Sequence, residues 1–273
     1  MLVMFNFIKM HGVGNDFAIF DEREGKISFS SQVIKKMSNR NKGIGFDQLI
    51  ILSNSDRADI KMSIYNADGS AAETCGNAAR CVADLTGKDN GAIEVGERLL
   101  FFKKLPSLSN EPRYTVNMGK PEFAWDKIPL SIPVDPLNLN FEIEGFQQGA
   151  ALSMGNPHLV FFSSIPLELE SVAKYGALFE NHELFPQAVN VNFAHILDNN
   201  HIALTVYERG AGITLACGSG ACATAVIAYT KKLINNKCKV DLPGGTLLIE
   251  ITKDLEVLMT GSAVKCFEGQ ISF

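Results

Sequence analysis

The chain has 273 residues, 46% of them hydrophobic and 20% charged, with 18 phenylalanines and a formal net charge of −5. That is enough apolar material for one large core or two of middling size, which excludes disordered and fibrous classes. No block of Lys or Arg offers a footprint for nucleic acid or an anionic membrane surface, and no apolar run reaches the ~18 residues of a membrane span.

Met1 to Met10 is apolar but short, carries Asn6 and Lys9, and has neither a cationic start nor a small-residue cleavage site after it. It reads as a first strand rather than an export signal, so a cytoplasmic location is expected. The six cysteines (75, 81, 217, 222, 238 and 266) are then expected as thiols, and none forms a C-x-x-C pair that would spell a zinc or redox motif. Further strands are predicted at FAIFD (17–21), QLIIL (48–52) and ADIKMSIY (58–65). A helix follows from Asn77 to Leu85 and stops near Gly87. Beyond a boundary near Asn117 to Pro121, strands recur at HLVFF (158–162), VNFAHIL (191–197) and HIALTVY (201–207). A second helix, from Ser219 to about Leu233, is rich in Ala and apolar on every face, as a buried helix is.

The two halves are copies of one another. YNADGSAAETCGNAARCVA (65–83) lies over YERGAGITLACGSGACATA (207–225) without a gap, so that Tyr65 meets Tyr207 and Cys75 meets Cys217. Upstream, Ile60, Met62 and Ile64 meet Ile202, Leu204 and Val206, the alternation of a half-buried strand. Further back Gly14-Asn15 meets Gly155-Asn156. The expectation is a mostly β shell around a central helix, built twice. One domain spans 1–117 with the segment 263–273 returning to it, and the other spans 118–262.

Cys75 and Cys217 each stand just before a buried helix. First-turn amides there lack intrahelical partners and the helix dipole is positive, which favours a thiolate, lowers the cysteine pKa and suits a substrate carboxylate. Two such sites with a thiol each match inversion of a stereocentre, where one group takes the α-proton and another returns it on the opposite face. The developing negative charge would need donors in a dry site, and two helix starts supply them. No lysine has an evident pyridoxal-phosphate setting, so no cofactor is expected. A lone cysteine in an apolar setting is ordinarily a small core residue, and Cys81, Cys222, Cys238 and Cys266 are read so. Asn15, Asn66, Asn156 and Asn190, taken singly, are ordinary turn formers, and His158 and Glu208 ordinary structural polar groups.

The segments FIKMHGVGNDF (7–17), GFDQ (45–48), YNADGS (65–70), CGNAAR (75–80), MGNPH (154–158), NVNF (190–193), YERGAG (207–212), ACGSGACA (216–223) and PGG (243–245) span nearly the whole chain. Together they closely resemble the diaminopimelate epimerases, which convert the LL form of diaminopimelate to the meso form. The resemblance implies two pseudo-symmetric α/β (α+β) domains, each a β-barrel-like sheet around a helix, forming a homodimer without metal or coenzyme. It implies that Cys75 and Cys217 are the acid/base pair and that His158 and Glu208 tune them. Asn15, Gln48, Asn66, Asn156, Asn190, Glu208 and Arg209 would hold the substrate, and Gly76, Asn77, Gly218 and Ser219 would clasp the reacting carboxylate. A second amino-acid head needs an acceptor for ammonium and donors for carboxylate, which the Asn set with Glu208 and Arg209 provides. The chain departs from the family pattern at Ala78 and Ser219, ordinarily Gly and Thr, and at Ile213, where a polar residue is common.

Other readings stay open on the residues alone. A proline- or hydroxyproline-type racemase would share the cysteine pair but not the distal set, and a histidine-type racemase on the same fold is a third enzyme reading. A non-catalytic amino-acid-binding module would have no need of both thiols. A redox switch would answer to oxidant and turn nothing over.

Overall fold

The computed structural model describes residues 4–106, 111–141, 146 and 148–272. The chain divides into two compact units, one of Met1–Val116 with Gly261–Phe273, the other of Asn117–Thr260. Of the expected first strand, residues 1–3 lie outside the described residues, as does Phe273 of the returning segment.

The first unit runs β1 (Met4–Gly12), β2 (Asn15–Asp21), α1 (Ser31–Ser38), β3 (Gln48–Ser53), β4 (Ile60–Asn66), β5 (Ala71–Ala72), α2 (Gly76–Leu85), β6 (Asn90–Val95), β7 (Arg98–Leu105) and β8 (Arg113–Asn117). The second runs β9 (Leu139–Asn140), β10 (Gln148–Ser153), β11 (Pro157–Ser163), α3 (Leu169–Glu180), β12 (Asn190–Asp198), β13 (His201–Glu208), β14 (Gly212–Thr214), α4 (Gly218–Thr230), β15 (Lys237–Leu242), β16 (Gly245–Ile251) and β17 (Val257–Ser262). The last strand, β18 (Val264–Ser272), pairs antiparallel with β1 of the first unit.

Strand pairing repeats step for step. In the first unit β1–β2 is antiparallel, β2–β3 parallel, β3–β4 and β4–β5 antiparallel, β4–β6 parallel, and β6–β7 antiparallel. In the second, β10–β11 is antiparallel, β11–β12 parallel, β12–β13 and β13–β14 antiparallel, β13–β15 parallel, and β15–β16 antiparallel. Parallel neighbours need a crossover, and a helix fills each one. α1 joins β2 to β3 as α3 joins β11 to β12, and α2 lies between β5 and β6 as α4 lies between β14 and β15. The register gives residue equivalences: Phe17 lies opposite Gln48 and Ile19 opposite Ile50, while His158 lies opposite Asn190 and Val160 opposite Asn192.

The central helices are α2 and α4. Residues 76–83 of α2 are buried, and α4 buries Gly218, Gly220 and the run from Ala221 to Ala228. Its small residues let strands approach on every side, which is why it carries no polar stripe. The outer helices, α1 and α3, were not anticipated from the sequence. Ser30 caps α1 by accepting from the Val33 amide at 3.4 Å, and only Ile34 and Met37 are buried. α3 buries Val172, Gly176 and Phe179, the i, i+4, i+7 stripe of a helix with one wet face. Gly176 has no room for a side chain, since a Cβ there would stand 2.3 Å from the Tyr207 ring. α2 begins one residue before the expected Asn77, and α4 ends at Thr230 rather than near Leu233.

Three of the four cysteines read as core residues, Cys81, Cys222 and Cys238, are buried, but Cys266 is exposed. The register of β1 against β18 shifts between Lys9, opposite Phe267, and Met10, opposite Lys265, leaving Cys266 as the extra residue of a bulge. An unpaired bulge residue is turned out of the ladder, and this one faces solvent.

Candidate active site

Each unit gathers its share of the singled-out residues around a helix start. Gly14 and Gly155 hold the turns before β2 and β11 with φ of 86° and 101°, a left-handed conformation that glycine adopts without strain. Those turns set Asn15 and Asn156 at the strand ends.

In the first unit Cys75 is the N-cap of α2, with extended backbone (φ −149°, ψ 105°), and its sulfur accepts from the Ala78 amide at 3.4 Å. The thiol donates to Asn15 Oδ1 at 3.6 Å. Asn77 Nδ2 donates to the same oxygen at 3.2 Å, and the buried Arg80 fixes Asn77 by donating from Nη2 to its Oδ1 at 2.9 Å. Arg80 Nε in turn donates to the Ser262 carbonyl at 3.1 Å. Asn15 is held from its other side, Nδ2 donating to Asp47 Oδ2 at 2.9 Å. Burial pushes the Asp47 carboxyl up; it also pushes Asp16 up, but hydrogen bonds from Arg40 and Lys9 outweigh that and bring Asp16 down to about 2. Gln48 and Asn66 form a separate pair across β3 and β4, Nε2 to Oδ1 at 3.1 Å.

In the second unit Cys217 is the N-cap of α4, only 4% exposed. Its sulfur lies 3.6 Å from Ser219 Oγ, and its thiol is hydrogen-bonded to the Glu208 carboxylate. Glu208 ends β13 and is held by Thr214 Oγ1 at 2.5 Å. Asn156 Nδ2 donates to Ser219 Oγ at 3.3 Å, and Asn156 Oδ1 lies 3.1 Å from His158 Nε2. Burial holds the His158 ring neutral, its pKa pushed down to about 3, with the Arg209 charge acting the same way. Asn190 braces the corner that carries the next residue: its Oδ1 accepts from the Arg209 amide at 3.0 Å and its Nδ2 donates to the Pro157 carbonyl at 2.9 Å. The Arg209 side chain is exposed and donates to the Gln187 carbonyl at 3.1 Å.

One expectation is corrected. A thiol at a helix start was expected to have a lowered pKa, yet Cys217 is raised well above the ordinary value. Burial is the largest cause and the Glu208 charge the next; the donors at Ser219 and Gly220 pull the other way and lose. The structure adds Arg80, Asp47, Thr214, Gly220 and Asn192 to the residues around the two helix starts. A glance at which positions are polar in one half and apolar in the other would have found the last of these. Among the described residues, no group of three or more His, Cys, Asp or Glu side chains is placed to share a metal ion, and no helix is long and apolar enough to cross a membrane.

The family profile for diaminopimelate epimerase matches residues 7–123 and 150–266, one stretch in each half. The chain belongs to the diaminopimelate epimerase family. The chain is 40% identical over 267 residues to the diaminopimelate epimerase of Zymomonas mobilis, covering 97% of both chains. It is 45% identical to that of a Wolbachia strain from Drosophila simulans, covering 94% of this chain and 95% of the other. Among solved structures, it superposes on a hydroxyproline epimerase from Agrobacterium vitis with a TM-score of 0.74 at 12% identity, over 99% and 93% of the two chains. A predicted epimerase from Pseudomonas aeruginosa gives 0.69 at 14% identity, over 98% and 99%. At such identities the structural likeness speaks to the fold: a mixed α/β architecture in two repeats.

Proposed function

We propose that this family member interconverts LL- and meso-diaminopimelate by a two-base reaction in which Cys75 and Cys217 address opposite faces of one α-carbon. The observation that carries the reading is that each cysteine is the N-cap residue of an equivalent buried helix in two topologically equivalent units, with its own hydrogen-bond partner for the proton, Asn15 for Cys75 and Glu208 for Cys217. Cys217 gives up its proton toward Glu208 and, as thiolate, takes the α-proton from one face. The electron pair left on carbon spreads into the α-carboxylate. Amides of the first helical turns, at Gly76, Asn77, Gly218 and Ser219, are the donors that stabilise it. Cys75, as thiol, then delivers its proton to the opposite face, and the reverse reaction exchanges the two roles. A thiolate can take a proton in one direction and the thiol can return it in the other, which is what makes sulfur suitable at both positions.

The distal head would be read by Arg209, with Asn66, Asn156 and Asn190 as amide partners and Glu208 near the ammonium; Gln48 and Asn15 complete the set. We infer that no metal or coenzyme takes part, and that the enzyme works in the cytoplasm as a homodimer, as the family resemblance indicates. The test is incubation with LL-diaminopimelate in deuterated water. The reading requires meso product carrying deuterium at one α-carbon; unlabelled product or no product overturns it. A proline-type racemase sharing the fold would instead label proline under the same conditions.

A further inference from the structure

Asn192 and His158 are fully buried polar side chains at positions where the fold does not need polarity. By strand register their counterparts in the first unit are Ile50 and Phe17, both buried in the same pair of parallel strands. Burying an amide and an imidazole where an Ile and a Phe pack equally well costs free energy unless the hydrogen bonds do something else.

Those bonds run in one direction. Asn192 Nδ2 lies 3.0 Å from the Leu159 carbonyl, 3.2 Å from the Asn190 carbonyl and 3.2 Å from His158 Nδ1. Two carbonyls at one end of the amide demand its NH2 there, since an oxygen would meet oxygens. An amide nitrogen cannot accept a hydrogen bond, so the Nδ1 that faces it carries no proton, and the buried neutral ring must carry its proton on Nε2. Nε2–H donates to Asn156 Oδ1, which turns Asn156 Nδ2 to Ser219 Oγ. The hydroxyl, already accepting, has its own proton to give to Cys217 Sγ. Asn192 Oδ1 is left buried without a hydrogen-bond partner, close against the first turn of α4, where a Cβ on Gly220 would stand 2.5 Å from it and 3.3 Å from the sulfur.

We propose that Asn192 is a positioning residue that, through His158, Asn156 and Ser219, aims a hydrogen bond at Cys217 and so favours its thiolate. The proposal rests on Cys217 being a proton carrier, and it makes the two thiols unequal: Cys75 meets the acceptor Asn15 Oδ1, and no such relay serves it from Phe17 and Ile50. The charged group facing Cys217 is Glu208, from the end of β13; the neighbours on α4, Ser219 and Gly220, are neutral, and Arg209 acts on His158.

Two measurements on the full-length protein test it without turnover. Nitrogen-15 spectra of the wild type should show the His158 ring neutral with the proton on Nε2; a proton on Nδ1 overturns the relay. Iodoacetamide alkylation of Cys217 and Cys75, followed by peptide mass across pH 7 to 10, should show Asn192→Leu slowing Cys217 by about tenfold at fixed pH. The slowing should persist at every pH in that range while Cys75 is unchanged. A folded Asn192→Leu that alters only the melting temperature, or slows both thiols alike, refutes the proposal. If that variant does not fold, Ser219→Ala cuts the last link. It should slow Cys217 similarly while the His158 proton stays on Nε2, and an unchanged Cys217 rate is then decisive against. An enzyme with this relay intact but no epimerase activity would sink the two-base reading and leave the relay standing.

Discussion

Cys75 donates its thiol proton to Asn15 Oδ1, an oxygen that also receives the Asn77 amide, so the sulfur at the start of α2 faces an acceptor in a fixed orientation. The orientation is set from outside the pair, because Asn15 Nδ2 is committed to Asp47 and Asn77 Oδ1 to Arg80. Replacing Asn15 by Asp would put a carboxylate against the thiol and beside Asp47, with the amide donor lost. The expected result is a Cys75 alkylation midpoint shifted to higher pH and an activity profile displaced the same way. An unmoved Cys75 midpoint would show that Asn15 does not govern this sulfur.

Each thiol should be indispensable. On the proposed two-base reaction, Cys75→Ala and Cys217→Ala each remove one of the two groups that exchange the proton, and general acid–base catalysis contributes about 10²–10⁴-fold per group. Losses of at least that size are expected in kcat for diaminopimelate, with KM changed much less, because the thiols act on the reacting carbon rather than on ground-state binding. Near-normal turnover in either variant would end the two-base mechanism.

His158 ties stability to pH, and the sign follows from its lowered pKa. In the unfolded chain the imidazole titrates near 6.5, while in the fold it stays neutral down to about 3. Below pH 6.5 the unfolded state binds a proton that the folded state refuses, so stability is lost as the pH falls. At pH 5 the loss from this group is roughly 2 kcal/mol. His158→Phe, the residue type that the first unit carries at the equivalent Phe17, should shrink the difference in melting temperature between pH 7.5 and pH 5. An undiminished difference would assign the acid sensitivity to carboxylates elsewhere.

Much of this was legible in the sequence, for identifiable reasons. The repeat, the strand bearing Gln48, the strands that fall one residue short of Asn66, Asn190 and Glu208, and the helix starts at Cys75 and Cys217 follow from alternation, glycine stops and an all-apolar helix. The outer helices were not, because α1 and α3 each bury only two or three residues and leave too faint a stripe. Cys266 was misread since a bulge is a property of pairing, which β18 shows only against β1. The raised pKa of Cys217 escaped as well. A helix start advertises its dipole in the sequence, but burial and the approach of Glu208 are set by the fold and outweigh it. Asn192 is visible in the sequence only when the two halves are compared position by position, where Ile50 is its apolar counterpart.

Gly220 should tolerate no side chain. The Cβ of Gly220→Ala would need Asn192 Oδ1, 2.5 Å away, to retreat, and this oxygen belongs to an amide pinned by two backbone carbonyls. Overpacking of this kind costs about 1–3 kcal/mol. Thermal or urea unfolding should show that loss, together with a fall in kcat; a variant as stable and active as wild type would mean the first turn of α4 can shift freely.

Arg209 gives the proposed substrate assignment its sharpest test. Its backbone is fixed, since its amide donates to Asn190 Oδ1, while its exposed guanidinium donates from Nη1 to the Gln187 carbonyl and has further donors to offer. A planar guanidinium can grip a carboxylate with two parallel hydrogen bonds, and an ammonium cannot copy that geometry. If Arg209 reads the distal carboxylate, Arg209→Lys should lower kcat/KM for diaminopimelate by about ten- to a hundredfold, the worth of one charge-assisted bond. Lysine has the distal amine without the carboxylate, so its already poor turnover should hardly change. Sites built on polar contacts reject ligands that leave them unpaired by about 10⁴-fold, so the wild type should favour diaminopimelate over lysine by that order. If Arg209 merely braces the turn at Gln187, the variant would lose melting temperature and both substrates would suffer equally. Measuring kcat/KM for the two substrates and the melting temperature in wild type and Arg209→Lys separates the cases. Equal handling of lysine and diaminopimelate by the wild type would overturn the substrate assignment even with the two-thiol chemistry intact.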